Sequence, residues 1–113
     1  MKMYTLVGKE VVFTDDFKEW QDLRVNNIAK DNFNIKGESV LVSTVFLGVD
    51  HGHSDGAPVL FETMVFGGKY TDFQRRYCTY DEAIEGHNNI CELVDEVRIK
   101  RDSQINGLGI WLK

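Results

Sequence analysis

The sequence contains few cysteines, a single proline and no long apolar run. Its 113 residues include one proline, which excludes a proline-rich linker, and two cysteines, which are too few for a disulfide framework. No apolar run approaches the roughly 20 residues that a membrane-spanning helix needs. The first residues alternate too strongly in polarity for the apolar core of a signal peptide. These absences predict a protein of the reducing cytoplasm with no membrane partner.

Clustered positive charge is also missing. The chain has 13 Lys and Arg against 18 Asp and Glu, which gives a formal net charge of −5. Proteins that bind the phosphate backbone of nucleic acid need clusters of basic side chains, so a nucleic-acid partner is not expected. The sequence likewise lacks a phosphate-binding glycine loop, a nucleophile elbow and a CxxC pair.

The first third of the chain predicts a hairpin followed by a helix. Two short apolar runs flank Gly8 and Lys9, a pattern typical of a β-hairpin. Thr14 is expected to cap a helix that continues to the sequence KDNFN at 30–34. Five residues of this segment fall at helical spacing and predict its inward face: Phe17, Trp20, Leu23, Arg24 and Ile28.

The stretch STVFLGVDHGHSDGAPVLFETMVFGG at 43–68 predicts an antiparallel hairpin in the middle of a sheet. Residues 39–49 are apolar on both faces, as in a central strand, and a turn is expected before them at Lys36 and Gly37. A second strand is expected to begin at Pro58. The loop between the two strands is rich in Gly, Ser and Asp. A third strand is predicted at 73–78.

A second helix begins at a capping box formed by Thr79 and Glu82. We expect it to run to about Arg101, with an apolar stripe that includes His87 and Cys91. The predicted fold is α+β: an antiparallel β-meander of about 4–5 strands with two helices packed on one face of the sheet.

Residues 1–102 are predicted to form this single domain, and 103–113 an apolar tail. Large apolar side chains are unusual at an unanchored terminus. The tail is therefore expected to dock on the sheet edge of its own chain, or on a second copy as a homodimer through 105–112.

Glu62 is the strongest candidate for a catalytic residue. It is a single carboxylate among apolar strand neighbours, and burying it without a partner would be costly. We expect it to lie opposite Phe46, with His87 of the second helix as its partner. A Glu–His pair is compatible with a general base and its orienting group, and equally with a structural pair. Because no nucleophile stands beside it, the structural interpretation is preferred.

The loop residues Asp50, His51 and His53 form a second candidate. The spacing H-x-H-x-D resembles the opening of the zinc motif of the metallo-β-lactamase fold, but Gly56 stands where that motif needs a histidine, and the chain is too short to supply the other ligands. His51 and His53 are the only metal candidates, and a polar turn is the favoured interpretation. No metal or other cofactor is predicted.

Two further groups of residues have both a functional and a plain interpretation. Arg75 and Arg76 could hold a phosphate, with Thr44 and Tyr77 as further ligand-binding residues, or they could simply protect a strand edge. Cys78 precedes a helix N terminus, which lowers a thiol pKa, but a half-buried structural cysteine is the preferred interpretation. Cys91 is expected in the core.

Several of these segments resemble a small protein family of tailed bacteriophages and prophages. The resemblance rests on VSTVFLGVDH at 42–51, PVLFETMVFGG at 58–68, RYCTYDEAIEGH at 76–87 and the opening MYTLVG…DDFKEW, and it covers residues 3–20 and 40–87. His53 lies in the variable loop of the pattern, and the tail after about residue 102 is additional to it. The matching polar residues are Ser43, Thr44, Asp50, His51, Glu62, Thr63, Tyr77, Thr79, Glu82 and His87. The resemblance implies a genetic setting rather than a reaction.

Size, the lack of a catalytic constellation and this setting predict a non-enzymatic phage-type accessory protein. It would bind a host protein or a small ligand in the cytoplasm of the infected cell. One alternative is a small hydrolase or metal-dependent enzyme that uses Asp50, His51, Glu62 and His87. Another is a nucleotide-sequestering binder in which Arg75 and Arg76 hold the phosphates.

Overall fold

The computed structural model describes residues 2–23, 26–52 and 56–105, the last nine of them as backbone only. The elements in chain order are β1 (Met3–Val7), β2 (Glu10–Thr14), α1 (Phe17–Asp22), β3 (Asn27–Ile35), β4 (Glu38–Phe46), β5 (Phe61–Phe66), β6 (Gln74–Tyr77) and α2 (Tyr80–Ile105). Strands β3 to β6 form a four-stranded antiparallel sheet in chain order, and β1 and β2 form a separate hairpin. The predicted α+β antiparallel meander is confirmed. No helix in the described part of the chain is long and apolar enough to cross a membrane.

Helix α2 covers one face of the four-stranded sheet. Alternate residues of the central strand β4 point toward it and are buried, and their partners in β5 lie on the same face because opposite residues of an antiparallel pair share a face. The predicted pairing of two central strands within 43–68 is therefore confirmed. The buried apolar core comprises Ile35, Val40, Val42, Phe46, Leu60, Phe61, Val65, Tyr77, Ala83, Ile90 and Val94.

The start of α2 is fixed by the predicted capping box. The Glu82 amide donates to Thr79 Oγ1 at 3.1 Å, and Glu82 Oε1 accepts from the Thr79 amide at 3.1 Å. Each side chain thereby satisfies a backbone donor that the first helical turn leaves without a partner. The helix extends to Ile105, beyond the expected end near Arg101. The tail at 106–113 lies outside the described residues, so its docking stays a prediction.

The β1–β2 hairpin is attached to the end of β4. The Gly48 carbonyl accepts from the Tyr4 amide at 2.8 Å and from Trp20 Nε1 at 3.1 Å. Tyr4 and Leu6 pack against the core residues around Phe46. Helix α1 contacts the hairpin rather than the four-stranded sheet, so the expectation that both helices share one face of that sheet holds only for α2.

The long first helix predicted from the sequence is wrong. Helix α1 has six residues and its cap is Asp16, whose side chain accepts from the Glu19 amide; Thr14 Oγ1 instead accepts from the Asp16 amide at 3.1 Å. From Asn27 onward the expected helix is replaced by strand β3, which pairs with β4 along nearly its whole length. Pairing with a central strand overrides the helical spacing of a segment whose intrinsic helix preference is weak.

Candidate functional site

His87 is a buried polar side chain of the sheet–helix interface. It is 1% exposed, because α2 places it against the middle of β4. Its Nδ1 lies 2.7 Å from Thr44 Oγ1, and its Nε2 lies 2.7 Å from Asp31 Oδ2 on β3. Thr44 Oγ1 is also 2.5 Å from Thr63 Oγ1, its direct partner in the β4–β5 register. The four side chains form one hydrogen-bonded series that runs from the core to the exposed Asp31.

The donor and acceptor roles in these hydrogen bonds follow from the Asp31 carboxylate at the surface. Because the Asp31 carboxylate only accepts, Nε2 of His87 donates to it. In the neutral form of the ring, Nδ1 then accepts from the Thr44 hydroxyl, and the Thr63 hydroxyl donates to Thr44. Every polar atom of the imidazole is satisfied, which removes the penalty for burying it.

The same series has the order hydroxyl, imidazole, carboxylate that is found in nucleophilic hydrolases. The hydroxyl of Thr44 is 0% exposed, however. A nucleophile must come within about 3.5 Å of a substrate atom, and no substrate reaches Thr44 through the packed interface. The arrangement therefore joins α2 to the sheet and does not form a hydrolytic site.

Cys91 lies one helical turn beyond His87, beside Asp31. Its Sγ is 3.7 Å from Asp31 Oδ2, and the side chain packs at the border of the core. Burial, and after it the negative charge of Asp31, raises the pKa of the Cys91 thiol to about 12. The thiol is therefore protonated at neutral pH and is a poor nucleophile. A surface depression of about 520 Å³ opens next to it, lined by Asp31, Phe33, Asn88, Cys91, Glu92 and Asp95.

Glu62 is buried, as expected, but its predicted pairing with His87 is wrong. Glu62 Oε2 accepts from Gln74 Nε2 at 2.6 Å and from Arg76 Nε at 2.9 Å. The β4–β5 register places Glu62 opposite Val45 and not opposite Phe46. A shift of one residue moves a side chain to the other face of the sheet, so Glu62 lies on the face away from α2.

Asp50 closes the loop between β4 and β5. Its Oδ1 accepts from the amides of Val59 and Gly52, both at 2.8 Å, and the His51 amide donates to the Val59 carbonyl at 2.9 Å. The two hydrogen bonds that Asp50 accepts lower the pKa of its carboxyl group, and the one from the Val59 amide has the larger effect. The favoured interpretation of this segment as a polar turn is consistent with these contacts. His53 lies outside the described residues, so metal binding by His51 and His53 stays untested.

Arg75 and Arg76 have separate partners on the edge strand β6. Arg76 pairs with Glu62, whereas the Arg75 guanidinium lies 5.9 Å from the centre of the Tyr77 ring. Successive strand residues point to opposite faces, but both arginines, with Gln74, line one surface depression at this edge strand, so phosphate binding by Arg75 and Arg76 stays a prediction. Thr44 is enclosed between the sheet and α2, whereas Tyr77, although largely buried, borders a surface depression beside α2.

Cys78 differs from the expectation for a thiol at a helix N terminus. Burial, followed by the negative charges of Glu82 and Asp50, raises the pKa of the Cys78 thiol. The preferred interpretation as a half-buried structural cysteine fits this position.

Apolar side chains are unevenly distributed over the surface. Seven large hydrophobic residues of the described part are exposed, and five of them come from the hairpin and α1: Val7, Val12, Phe13, Phe17 and Leu23. We call these five residues the N-terminal apolar surface. Single exposed hydrophobic residues are normal. Here five of the seven belong to one part of the fold, with Val12 and Phe13, as successive residues of β2, on opposite faces of the hairpin.

Comparison with known proteins adds no relative: no protein-family model, curated protein or solved structure matches the chain significantly.

Asp31 is the residue of the His87 series that sequence reasoning missed, whereas Thr63 appears among the matching polar residues of the resemblance without a role. Asp31 was expected at the end of a helix, and only the β3–β4 register brings it to α2. One signal was present in the sequence. A histidine on an apolar helix stripe has two ring nitrogens, and both need partners once the ring is buried.

Proposed function

We propose that the protein acts by binding another protein through the N-terminal apolar surface. The observation that carries this proposal is that five of the seven exposed large hydrophobic side chains of the described residues fall within residues 7–23. Phe13 and Phe17 are 55% and 57% exposed, although aromatic side chains of this size contribute strongly to stability when they are buried. Leaving them in water costs folding stability, and burial against a partner recovers it.

The charges around this surface specify the chemistry of the partner. Residues 9–22 contain five acidic side chains and two lysines. Of these, Asp16 caps α1, Glu19 accepts from the Thr14 hydroxyl, and Asp22 pairs with Lys18. Protein interfaces combine an apolar centre with a charged rim. The partner we infer therefore carries an apolar patch bordered by Lys and Arg, which the acidic rim attracts.

The geometry gives little support for catalysis by a hydroxyl or thiol nucleophile. It therefore favours a binding function over a hydrolytic one. The Thr44 hydroxyl is buried, and the Cys91 thiol is protonated at neutral pH. The alternative enzyme based on Asp50, His51, Glu62 and His87 needs these groups to act together. Asp50 instead holds a turn, and Glu62 and His87 lie on opposite faces of the sheet.

The phage-type setting implied by the sequence resemblance extends the proposal to a host protein as the partner. Nucleotide sequestration by Arg75 and Arg76 stays a hypothesis. It finds less support in the geometry, because Arg76 is already paired with Glu62 and Arg75 lies over the Tyr77 ring.

Site-specific photo-crosslinking tests the proposal. A photoreactive phenylalanine analogue is placed at Phe17 in one sample and at Phe66 in another. Phe66 is a matched control, because it is 49% exposed but belongs to β5. We expect a discrete crosslinked protein from position 17 and not from position 66. Equal crosslinking at the two positions, or none at position 17, contradicts a docking surface on the hairpin and α1.

A further inference from the structure

We propose that Asp31, His87 and Cys91 bind a divalent zinc ion at the junction of β3 and α2. One ligand atom from each side chain, a carboxylate oxygen, an imidazole nitrogen and a sulfur, lies within 4.8 Å of the other two. These are the three atom types that zinc takes from proteins. The site is independent of the proposed protein-binding surface.

The backbone brings the ligands together before any metal arrives. His87 and Cys91 are four residues apart on α2, so both project from one side of the helix. Asp31 comes from β3, whose pairing with β4 fixes it opposite Val42. Two ligands from a regular helix and one from a regular strand form a rigid frame, and only small side-chain movements remain.

The required movements are small. Bond lengths of about 2.0–2.3 Å in a tetrahedral zinc site separate the ligand atoms by about 3.3–3.7 Å. His87 Nε2 and Asp31 Oδ2 are 2.7 Å apart, and Cys91 Sγ is 3.7 Å from the same oxygen. The exposed Asp31 carboxylate must therefore withdraw slightly from the imidazole, which its surface position allows.

Thr44 supplies the support that a metal-bound histidine needs. Nε2 must be free of its proton to bind zinc, so Nδ1 carries the proton and donates to Thr44 Oγ1, 2.7 Å away. The Thr44 hydroxyl then donates to Thr63 Oγ1, since either hydroxyl of this pair can be the donor. The buried threonine pair can thus serve both tautomers of the ring. As the zinc–sulfur bond forms, the thiol proton passes to solvent.

The surroundings favour a cation and give it access. The depression beside Asp31 and Cys91 is open to solvent and is also lined by Glu92 and Asp95. Carboxylates along one wall raise the local concentration of cations. Three protein ligands leave one tetrahedral position for a water molecule from this depression.

Cobalt(II) and zinc(II) titrations of the purified full chain test the site. Cobalt bound to a thiolate absorbs in the near ultraviolet, whereas cobalt bound to carboxylate and imidazole alone does not show this charge-transfer band. We expect one metal ion per chain, the thiolate band with cobalt, and a higher melting temperature with zinc.

Three variants assign the ligands and leave His87 itself unchanged. Cys91→Ser should abolish the cobalt–thiolate band, and Asp31→Asn, which keeps an acceptor for His87, should weaken zinc binding about tenfold or more. Cys78→Ser is the control and should keep the band. The proposal is overturned if the wild-type chain shows no band, if the band survives in Cys91→Ser, if it disappears in Cys78→Ser, or if Asp31→Asn binds zinc as tightly as the wild type.

Discussion

His87 Nε2 lies 2.7 Å from Asp31 Oδ2, which joins α2 to β3 across 56 residues of sequence. The contact connects the fully buried part of the interface with the surface, because His87 is enclosed and Asp31 is exposed. Thr44 completes the connection from the other side of the ring. The stability of the fold and the proposed zinc site thus depend on the same imidazole.

Replacing Thr44 with valine should destabilise the protein by about 1–3 kcal/mol, because it leaves His87 Nδ1 without a partner in a buried position. Urea denaturation measures the change. Ser43→Ala, on the other face of the same strand, is the control and should stay within about 0.5 kcal/mol of the wild type. Equal effects of the two substitutions would show that the Thr44–His87 hydrogen bond contributes nothing specific.

Gly86→Ala should destabilise α2, although alanine is the better helix former by about 1 kcal/mol. A Cβ at position 86 would overlap the hydroxyl and ring of the buried Tyr77, and overpacking of this kind costs about 1–3 kcal/mol. Thermal denaturation compares this variant with Glu85→Ala at the exposed neighbouring position. A stabilised Gly86→Ala protein would mean that Tyr77 does not pack against this turn of the helix.

Glu62→Met should change stability by no more than about 1 kcal/mol, because the two groups that lose their partner, Gln74 and Arg76, are exposed and can reach water. The Arg76 side chain is already 41% exposed. The measurement is the free energy of unfolding in urea. A loss above about 3 kcal/mol would indicate that Glu62 is required as a charge and would contradict this prediction.

The stability of the β4–β5 loop should depend on pH through Asp50. Its folded-state pKa is lowered by the Val59 and Gly52 amides, so the stabilisation is fully present above the unfolded-state pKa of about 3.9. It is lost as the pH falls through the folded-state pKa.

Melting temperatures measured between neutral and acidic pH check this dependence. The difference between the wild type and Asp50→Ala should be largest at neutral pH and should shrink below about pH 4. Asp50→Asn keeps an acceptor without a titrating charge, so it should lack this part of the dependence. A difference between wild type and Asp50→Ala that is constant across the range would contradict the assignment.

The sequence was sufficient for elements whose signals are local. The capping box of Thr79 and Glu82 and the turn at Lys36 and Gly37 depend on neighbouring residues, and both are confirmed. The first helix was predicted too long because the helical spacing of apolar residues from Phe17 to Ile28 is a local signal. The pairing of β3 with β4, which replaces the end of that helix, depends on residues distant in the sequence.

The candidate site could be predicted only in part, because it depends on register. Burial of both Glu62 and His87 followed from their apolar neighbours. The separation of Glu62 from His87 could not be predicted, because a shift of one residue in the β4–β5 register changes the face on which Glu62 lies. The role of Asp31 could not be predicted either, because only long-range strand pairing brings it to His87.

The affinity of the purified chain for the protein crosslinked at Phe17 tests the central claim most directly. Phe13→Ser and Phe17→Ser should each weaken binding about tenfold or more, as expected for aromatic anchors at an interface. Phe66→Ser should leave the affinity unchanged, and all three variants should melt close to the wild-type temperature. If Phe66→Ser weakens binding as much as the other two, or if neither Phe13→Ser nor Phe17→Ser weakens it, the protein does not bind through its N-terminal apolar surface.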